Sequence, residues 1–212
     1  MIELYTAPTP NGRKVSIALE EFGVAYSVKA VDLIKNEQFE PDFLEMSPNN
    51  KIPVIFDSDR GSALAESGAI LIYLAEKYGG FWGEDRLETI QWLMWQMGGL
   101  GPMLGQVHYF SRYNSGKSVY AEERFKNEAL RLYRVLEGLL SVREFLSHNY
   151  SIADMAVWPW ISRFEWQGID LNEFPNILLW YMKISERPAV VRGYDQPFFV
   201  NKIPLPRYLC GD

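Results

Sequence analysis

Asn49-Asn50-Lys51-Ile52-Pro53-Val54, followed one short hairpin later by Glu66-Ser67-Gly68-Ala69-Ile70, is the stretch on which the reading of this chain turns. An Ile-Pro step opening a strand removes a donor from the ladder and admits a cis bond. It leaves Ile52 with a backbone N–H and C=O that can pair with an extended ligand backbone. A helix begun at Ser67 presents exposed N–H groups at the positive end of its dipole, where a carboxylate can meet them and the Ser67 hydroxyl. Glu66 beside it can hold an ammonium group. Carboxylate, ammonium and extended backbone, read side by side, describe a pocket for a small acidic thiol peptide.

Working outward, Ile2 to Tyr5 reads as a strand, and Val15, Ala18, Leu19 and Phe22 recur at helical spacing before Gly23 in the C-cap place. Tyr26 to Asp32 is a second strand, so the chain opens with a βαβ unit, a parallel pair with a right-handed crossover. A short helix is expected over Pro41 to Met46, then a strand at Val54-Ile55-Phe56. Asp57-Ser58-Asp59-Arg60-Gly61 is turn chemistry leading to a strand at Ser62 to Ala65. Ser67 to Tyr78 places Ile70, Leu71, Leu74 and Tyr78 on one helix face, and Gly79-Gly80 ends it. The order βαβαββα is that of a thioredoxin-like domain, over residues 1–80.

From Arg86 the strand pattern stops, and residues 86–212 are expected to form an all-α domain ending in an extended arm. Gly98-Gly99-Leu100-Gly101-Pro102 should kink or end the helix begun near Arg86. Ser118 can cap a long helix running to Leu140. Ser151-Ile152-Ala153-Asp154 has capping-box spacing, with Asp in place of Glu or Gln, and opens a helix apolar on nearly every side, which marks it as buried. Pro175 falls in the first turn of the next helix, to about Glu186. From Gln196, Pro197, Pro204 and Pro206 punctuate the arm.

Composition narrows the function classes. Among 212 residues, 48% are apolar and 15% aromatic, enough for well-buried cores, and a net charge of −6 offers no basic footprint for a phosphate backbone. No apolar run approaches the length of about 20 residues that spans a bilayer. The first residues read as strand rather than as a cationic leader, so a cytoplasmic protein that binds neither nucleic acid nor membrane is expected. The single cysteine, Cys210, excludes a disulfide framework and a Cys-x-x-Cys pair. His108 and His148 lack metal-ligand spacing, and no metal is expected.

The residues of the opening stretch, with Thr6-Ala7-Pro8-Thr9-Pro10-Asn11-Gly12, Gln91-Trp92-Leu93, Gly98-Gly99-Leu100-Gly101-Pro102-Met103 and Tyr150-Ser151-Ile152-Ala153-Asp154, resemble the glutathione transferase superfamily over most of the chain. The Thr9, Asn11 and Gly-Gly-Leu-Gly-Pro features resemble its nu class, glutathione-dependent disulfide-bond oxidoreductases. The resemblance implies a homodimer that takes glutathione as co-substrate together with a small disulfide or an electrophile. Its glutathione contacts would be Asn11, Gln38, Lys51, Ile52, Pro53, Glu66, Ser67 and Arg124.

In the loop from Ala7 to Gly12, the Thr9 hydroxyl and the Asn11 amide would stabilise the glutathione thiolate, aided by the dipole of the first helix. Read without the resemblance, Asn11 is an N-cap and Thr9 a turn residue. Where redox relatives of the thioredoxin fold carry a cysteine, this loop has Pro8-Thr9-Pro10-Asn11, so no mixed disulfide with the protein can form there. The resemblance implies instead two glutathione molecules, or their disulfide, in the site.

Other readings stay open. The same thiolate could serve conjugation to an electrophile or peroxide reduction, or the fold could act as a non-catalytic glutathione-binding regulatory module. Tyr5 is a second hydroxyl but lies within the strand pattern. Gln38 and Lys51 can be solvated surface, as can Arg131 and Arg134. Trp92, Met94, Trp95, Met97, Met103 and Leu104 can be core or, as the resemblance implies, dimer interface and acceptor pocket. Asp154 is expected to be structural.

Overall fold

Alternation in the first strand buries Ile2, Leu4 and Thr6 on one face, and that face is where the first domain's core forms. In the computed structural model, residues 1–206 are described; Cys210 lies outside the described residues. The elements in chain order are β1 (Ile2–Thr6), α1 (Pro10–Glu21), β2 (Tyr26–Ala30), α2 (Pro41–Met46), β3 (Val54–Asp57), β4 (Ser62–Ala65) and α3 (Ser67–Tyr78). They are followed by α4 (Arg86–Trp95), α5 (Gly101–Val107), α6 (Val119–Leu140), α7 (Ile152–Ile161), α8 (Pro175–Ser185) and α9 (Pro188–Tyr194). The four strands form one sheet in the order β2-β1-β3-β4, with β1 parallel to β2 and antiparallel to β3, and β3 antiparallel to β4. This is the thioredoxin-like order expected from the sequence.

The chain divides into two units, Met1–Gly80 with Glu186–Ile203, and Phe81–Ser185 with the described residues from Pro204. The sequence-based division into 1–80 and 86–212 does not assign 186–203 to the first unit, and it contains no helix over α9. The reason for the assignment is the packing of α9 on α1. The Arg13 guanidinium lies 3.4 Å from the Tyr194 ring centre and its Nε donates to the Tyr194 carbonyl at 3.0 Å. Ser16 Oγ donates to the Gly193 carbonyl at 2.7 Å, and a Cβ on Gly193 would come within 2.5 Å of Ile17 Cα. Every residue from Gly12 to Leu19 is buried.

In the second unit, α6 is capped by Ser118 and buries Ala129, Leu132, Tyr133, Leu136 and Leu140 along one stripe. All ten residues of α7 are buried. Its N-terminus is the expected capping box: Ser151 Oγ accepts from Ala153 N–H at 3.3 Å, and Asp154 Oδ2 accepts from Ser151 N–H at 2.9 Å. The interruption expected at Gly98 to Pro102 is a π-type turn over Gln96–Leu100 that joins α4 to α5, and a second such turn over His108–Tyr113 prolongs the run. Pro102 falls in the first turn of α5, directly after that π-type turn. The arm from Gln196 carries neither helix nor strand among the described residues, and the Pro204 carbonyl accepts from the Tyr181 hydroxyl at 2.7 Å.

Candidate functional site

The pairing register gathers four chain ends at one edge of the sheet. Thr6, the last residue of β1, lies opposite Ala30, the last of β2, while Val54, the first of β3, lies opposite both Tyr5 and Ala65. The loop before α1, the segment running from β2 to Gln38, the Ile52-Pro53 step and the Glu66-Ser67 corner therefore leave from one edge, where α/β sheets place their ligands.

Thr9 is the N-cap of α1: its backbone is extended, its Oγ1 accepts from Gly12 N–H at 3.2 Å, and its carbonyl accepts from Arg13 N–H at 3.0 Å. An hydroxyl that accepts at the cap still carries its own O–H donor. Asn11 occupies the second helical position and is half-buried. The reading that made Asn11 the cap and Thr9 a mere turn residue is thus corrected, because Pro10, with its fixed φ, starts the helix one residue earlier. Gly12 is required by space, since a Cβ there would stand 2.2 Å from the Ala7 carbonyl oxygen and 2.4 Å from Thr6 Oγ1.

The Ile52-Pro53 bond is cis. The Ile52 side chain joins Tyr5, Met46, Ala63 and Ala65 around the buried cluster of Val31, Phe43 and Val54, and neither of its backbone groups is hydrogen-bonded among the described residues. Just before it, the buried Ser47 fastens Lys51 at both ends: Ser47 Oγ donates to the Lys51 carbonyl at 2.9 Å and lies 3.4 Å from its N–H. The Lys51 side chain is exposed. Gln38 sits in a short 3₁₀ turn, Glu37–Phe39, with its Oε1 buried and without a hydrogen-bond partner among the described residues.

Glu66 precedes α3 with φ of 69°, a positive-φ backbone that costs a β-carbon-bearing residue about 1–3 kcal/mol. Its side chain makes no cap and is exposed. Ser67, the first residue of α3, is buried, and its Oγ lies 3.5 Å from Nζ of the equally buried Lys14. Burial holds the Lys14 ammonium well below the usual lysine range, and the charge of Glu66 opposes that shift. The sequence reading passed over Lys14. Its signal was the pair Arg13-Lys14 so close to the start of α1, where cations oppose the helix dipole.

The remaining candidates separate. Tyr5 donates its hydroxyl to Glu3 Oε2 at 3.1 Å, and burial with that carboxylate raises its pKa, the opposite of what thiolate stabilisation needs. In the second unit, the exposed Arg124 lies on α6 and lines an open hollow of ≈ 810 Å³ with Met103, Tyr120, Glu128 and Arg131. Arg131 is held by a double hydrogen bond to Glu128, at 2.8 and 2.7 Å, as its surface reading expects. Leu104 is buried, Trp92, Trp95, Met97 and Met103 are half-buried, and Met94 is exposed. His108 stacks on Trp160 at 5.8 Å, and burial together with the nearby Arg163 and Arg112 pushes its pKa down to about 4. No cluster of metal-ligating side chains occurs among the described residues, and no helix there is long and apolar enough to cross a membrane.

The family model for the glutathione S-transferase N-terminal domain matches residues 1–76. Disulfide-bond oxidoreductase YfcG of Escherichia coli (strain K12) is 50% identical in an alignment 198 residues long that covers 89% of this chain and 92% of that protein. This chain belongs to the glutathione transferase family. The fold agrees with solved glutathione transferases. One from Pseudomonas putida, with one glutathione disulfide bound per subunit, superposes with a TM-score of 0.87 at 41% identity and covers 92% of this chain and 91% of its own. Another from Burkholderia graminis, with two glutathione molecules bound per subunit, gives 0.86 at 43% identity, covering 92% and 88%. In this glutathione transferase the sheet edge described above carries eight of the nine residues expected from the sequence, and Arg124 stands on the other unit.

Proposed function

We propose that this glutathione transferase reduces small disulfides at the expense of glutathione, with the thiolate supplied by the peptide and none by the protein. The observation that carries the reading is the loop before α1: it offers the Thr9 hydroxyl, the Asn11 amide and the dipole of a 12-residue helix, and no cysteine, in a chain half identical to a disulfide-bond oxidoreductase. Helix N-termini and nearby donors favour the thiolate over the thiol.

In this reading Ile52 pairs its two backbone groups with the extended cysteinyl segment. The carboxylate of the γ-glutamyl end meets the N-terminus of α3 and Ser67, and Glu66 takes its ammonium. Lys51 and Gln38 hold the glycine end. The thiolate attacks one sulfur of the substrate disulfide, forming a mixed disulfide and releasing the first thiolate. A second glutathione thiolate attacks the glutathione sulfur of that intermediate, so that two glutathione molecules and one disulfide give glutathione disulfide and two thiols. Thr9 and Asn11 hold the negative charge on sulfur before the first attack. We place the reaction in the cytoplasm, which keeps glutathione reduced, and assign the chain to a homodimer.

The test is NADPH-coupled reduction of 2-hydroxyethyl disulfide by glutathione and glutathione reductase. Wild type is expected to turn over well above the uncatalysed exchange, and Asn11→Ala to lose about 100-fold, the low end of what removing one donor to a developing anion costs. An unchanged Asn11→Ala rate would sink the role given to that amide. Turnover of an aryl halide far above that of the disulfide would move the function to conjugation.

A further inference from the structure

We infer that Asn11-Gly12 is a modification site, a pair prone to spontaneous deamidation that the Thr9 cap restrains, and that its conversion to aspartate switches off the thiol chemistry while leaving the protein folded. Asn-Gly occurs once in the 212 residues. It is the pairing in which a side-chain amide is most readily attacked by the following backbone nitrogen, since glycine sets no side chain beside that nitrogen. Neither residue can be exchanged without loss. A Cβ at position 12 would stand 2.2 Å from the Ala7 carbonyl oxygen and 2.4 Å from Thr6 Oγ1, and position 11 holds the amide assigned to the thiolate. The loop that serves the site therefore carries its own chemical weak point.

The reaction needs only water. The Gly12 nitrogen gives its proton to solvent base and bonds to Asn11 Cγ, and the side-chain amide nitrogen leaves as ammonia, closing a succinimide ring. Water then opens the ring at either carbonyl to give aspartate or isoaspartate, so that water is consumed, ammonia is released and nothing is oxidised or reduced. Asn11 is half-buried, and solvent reaches it. Closure requires position 11 to leave its helical backbone, so the rate follows the opening of the first turn of α1. Thr9 holds that turn with its side chain and its backbone: Oγ1 accepts at 3.2 Å from Gly12 N–H, the nitrogen that must attack, and the carbonyl accepts from Arg13 N–H at 3.0 Å. The first of these contacts depends on the hydroxyl. No acidic residue occupies the first turn of α1, so an aspartate at position 11 suits the helix dipole and the helix persists. The same negative charge beside the peptide sulfur disfavours the thiolate; this effect rests on the glutathione reading of Asn11, whereas the deamidation itself does not.

The experiment ages wild type, Thr9→Ser and Thr9→Ala in mildly alkaline buffer and follows the exchange of amide for carboxyl at position 11 by peptide mass spectrometry, with Asn114-Ser115 of the helical unit as internal clock. Wild type should convert slowly, Thr9→Ser should keep pace with it because serine also caps, and Thr9→Ala should convert about fivefold faster, the extra opening expected when a cap is lost. The rate at Asn114 should be the same in all three. Asn11→Asp, made directly, should keep the wild-type thermal midpoint and lose disulfide turnover at least as far as Asn11→Ala. Equal rates at position 11 in wild type and Thr9→Ala, or a Thr9→Ser protein that converts as fast as Thr9→Ala, would overturn the restraint assigned to the cap. A lowered midpoint in Asn11→Asp, or wild-type turnover in that variant where Asn11→Ala is impaired, would overturn the switching-off. Wild-type turnover in both Asn11→Asp and Asn11→Ala would instead remove the glutathione reading of Asn11, and a raised rate in Thr9→Ala would still establish the modification site.

Discussion

α7 buries Asp154 among donors of its own unit, whereas α1 buries Lys14 against Ser67, a residue of the proposed glutathione site. Asp154 accepts from Leu146 N–H at 3.1 Å, Ser151 N–H at 2.9 Å, Ser151 Oγ at 3.0 Å and the Trp180 indole at 2.8 Å. Burial raises its pKa to about 6 against the pull of these donors. Each donor belongs to the framework of the helical unit, so the carboxylate fixes where α7 begins and how α8 packs on it. Lys14 has Ser67 and Glu66 for neighbours, the pair that a peptide's carboxylate and ammonium would engage. A buried charge surrounded by framework groups is a structural device. Lys14 instead lies beside groups of the proposed site, on a helix of the sheet-bearing unit.

The largest effect that this comparison predicts is on stability, at Asp154. Asp154→Ala leaves several buried donors without their acceptor, and a loss of about 3–5 kcal/mol in unfolding free energy is expected from urea denaturation. The folded fraction should still bind glutathione with wild-type affinity. A loss below about 1 kcal/mol would mean that this carboxylate is no more a framework group than Lys14, and the contrast between the two helices would fall.

Most of the first unit was legible because its signals are local. Val54-Ile55-Phe56 between an Ile-Pro step and a run of turn residues, and Ser67 before a helical repeat, gave β3, β4 and α3 within a residue. Ser118, Ser151-Asp154 and Pro175 likewise marked the starts of α6, α7 and α8, because capping chemistry resides in a few consecutive residues. α9 went unread for the opposite reason. Its identity depends on Gly193 and Tyr194 meeting α1, a contact between residues nearly 180 positions apart that leaves no periodic trace. The same holds within the site. Ile52, Glu66 and Ser67 could be named from spacing, but Lys14 and Ser47 matter through burial and through single contacts across the fold. Thr9 as the cap of α1 could have been read from Pro10, whose preference for the first helical position is local.

A second, smaller effect should appear at the loop that the proposed thiolate faces. Gly12→Ala places a methyl 2.2 Å from the Ala7 oxygen, backbone that cannot swing aside as a side chain would. The loop must shift, at about 1–3 kcal/mol of stability, and the Thr9 and Asn11 donors shift with it. Disulfide turnover should therefore fall about as far as in Asn11→Ala, while the Asp154 network in the other unit keeps its contribution. Wild-type turnover in Gly12→Ala would show that the exact placement of Thr9 and Asn11 is unimportant, and would return the site to Glu66 and Ser67 alone.

Ser47 offers the smallest and most selective test, because its buried hydroxyl resembles Asp154 in being internally bonded and resembles Lys14 in bordering the site. Ser47 Oγ donates to the Lys51 carbonyl at 2.9 Å, directly before the Ile52 backbone. Ser47→Ala removes that bond and leaves the carbonyl to water, at about 1 kcal/mol. If Ser47 only supports the fold, that loss appears in denaturation and the kinetics stay unchanged. If it aligns Ile52 for pairing with the peptide, KM for glutathione rises roughly three- to fivefold with kcat held, since an alignment lost equally in ground and transition states weakens binding alone. The second outcome is expected: the buried Ser47 side chain ties the 47–51 turn directly before Ile52, whose two backbone groups are both without an internal partner among the described residues.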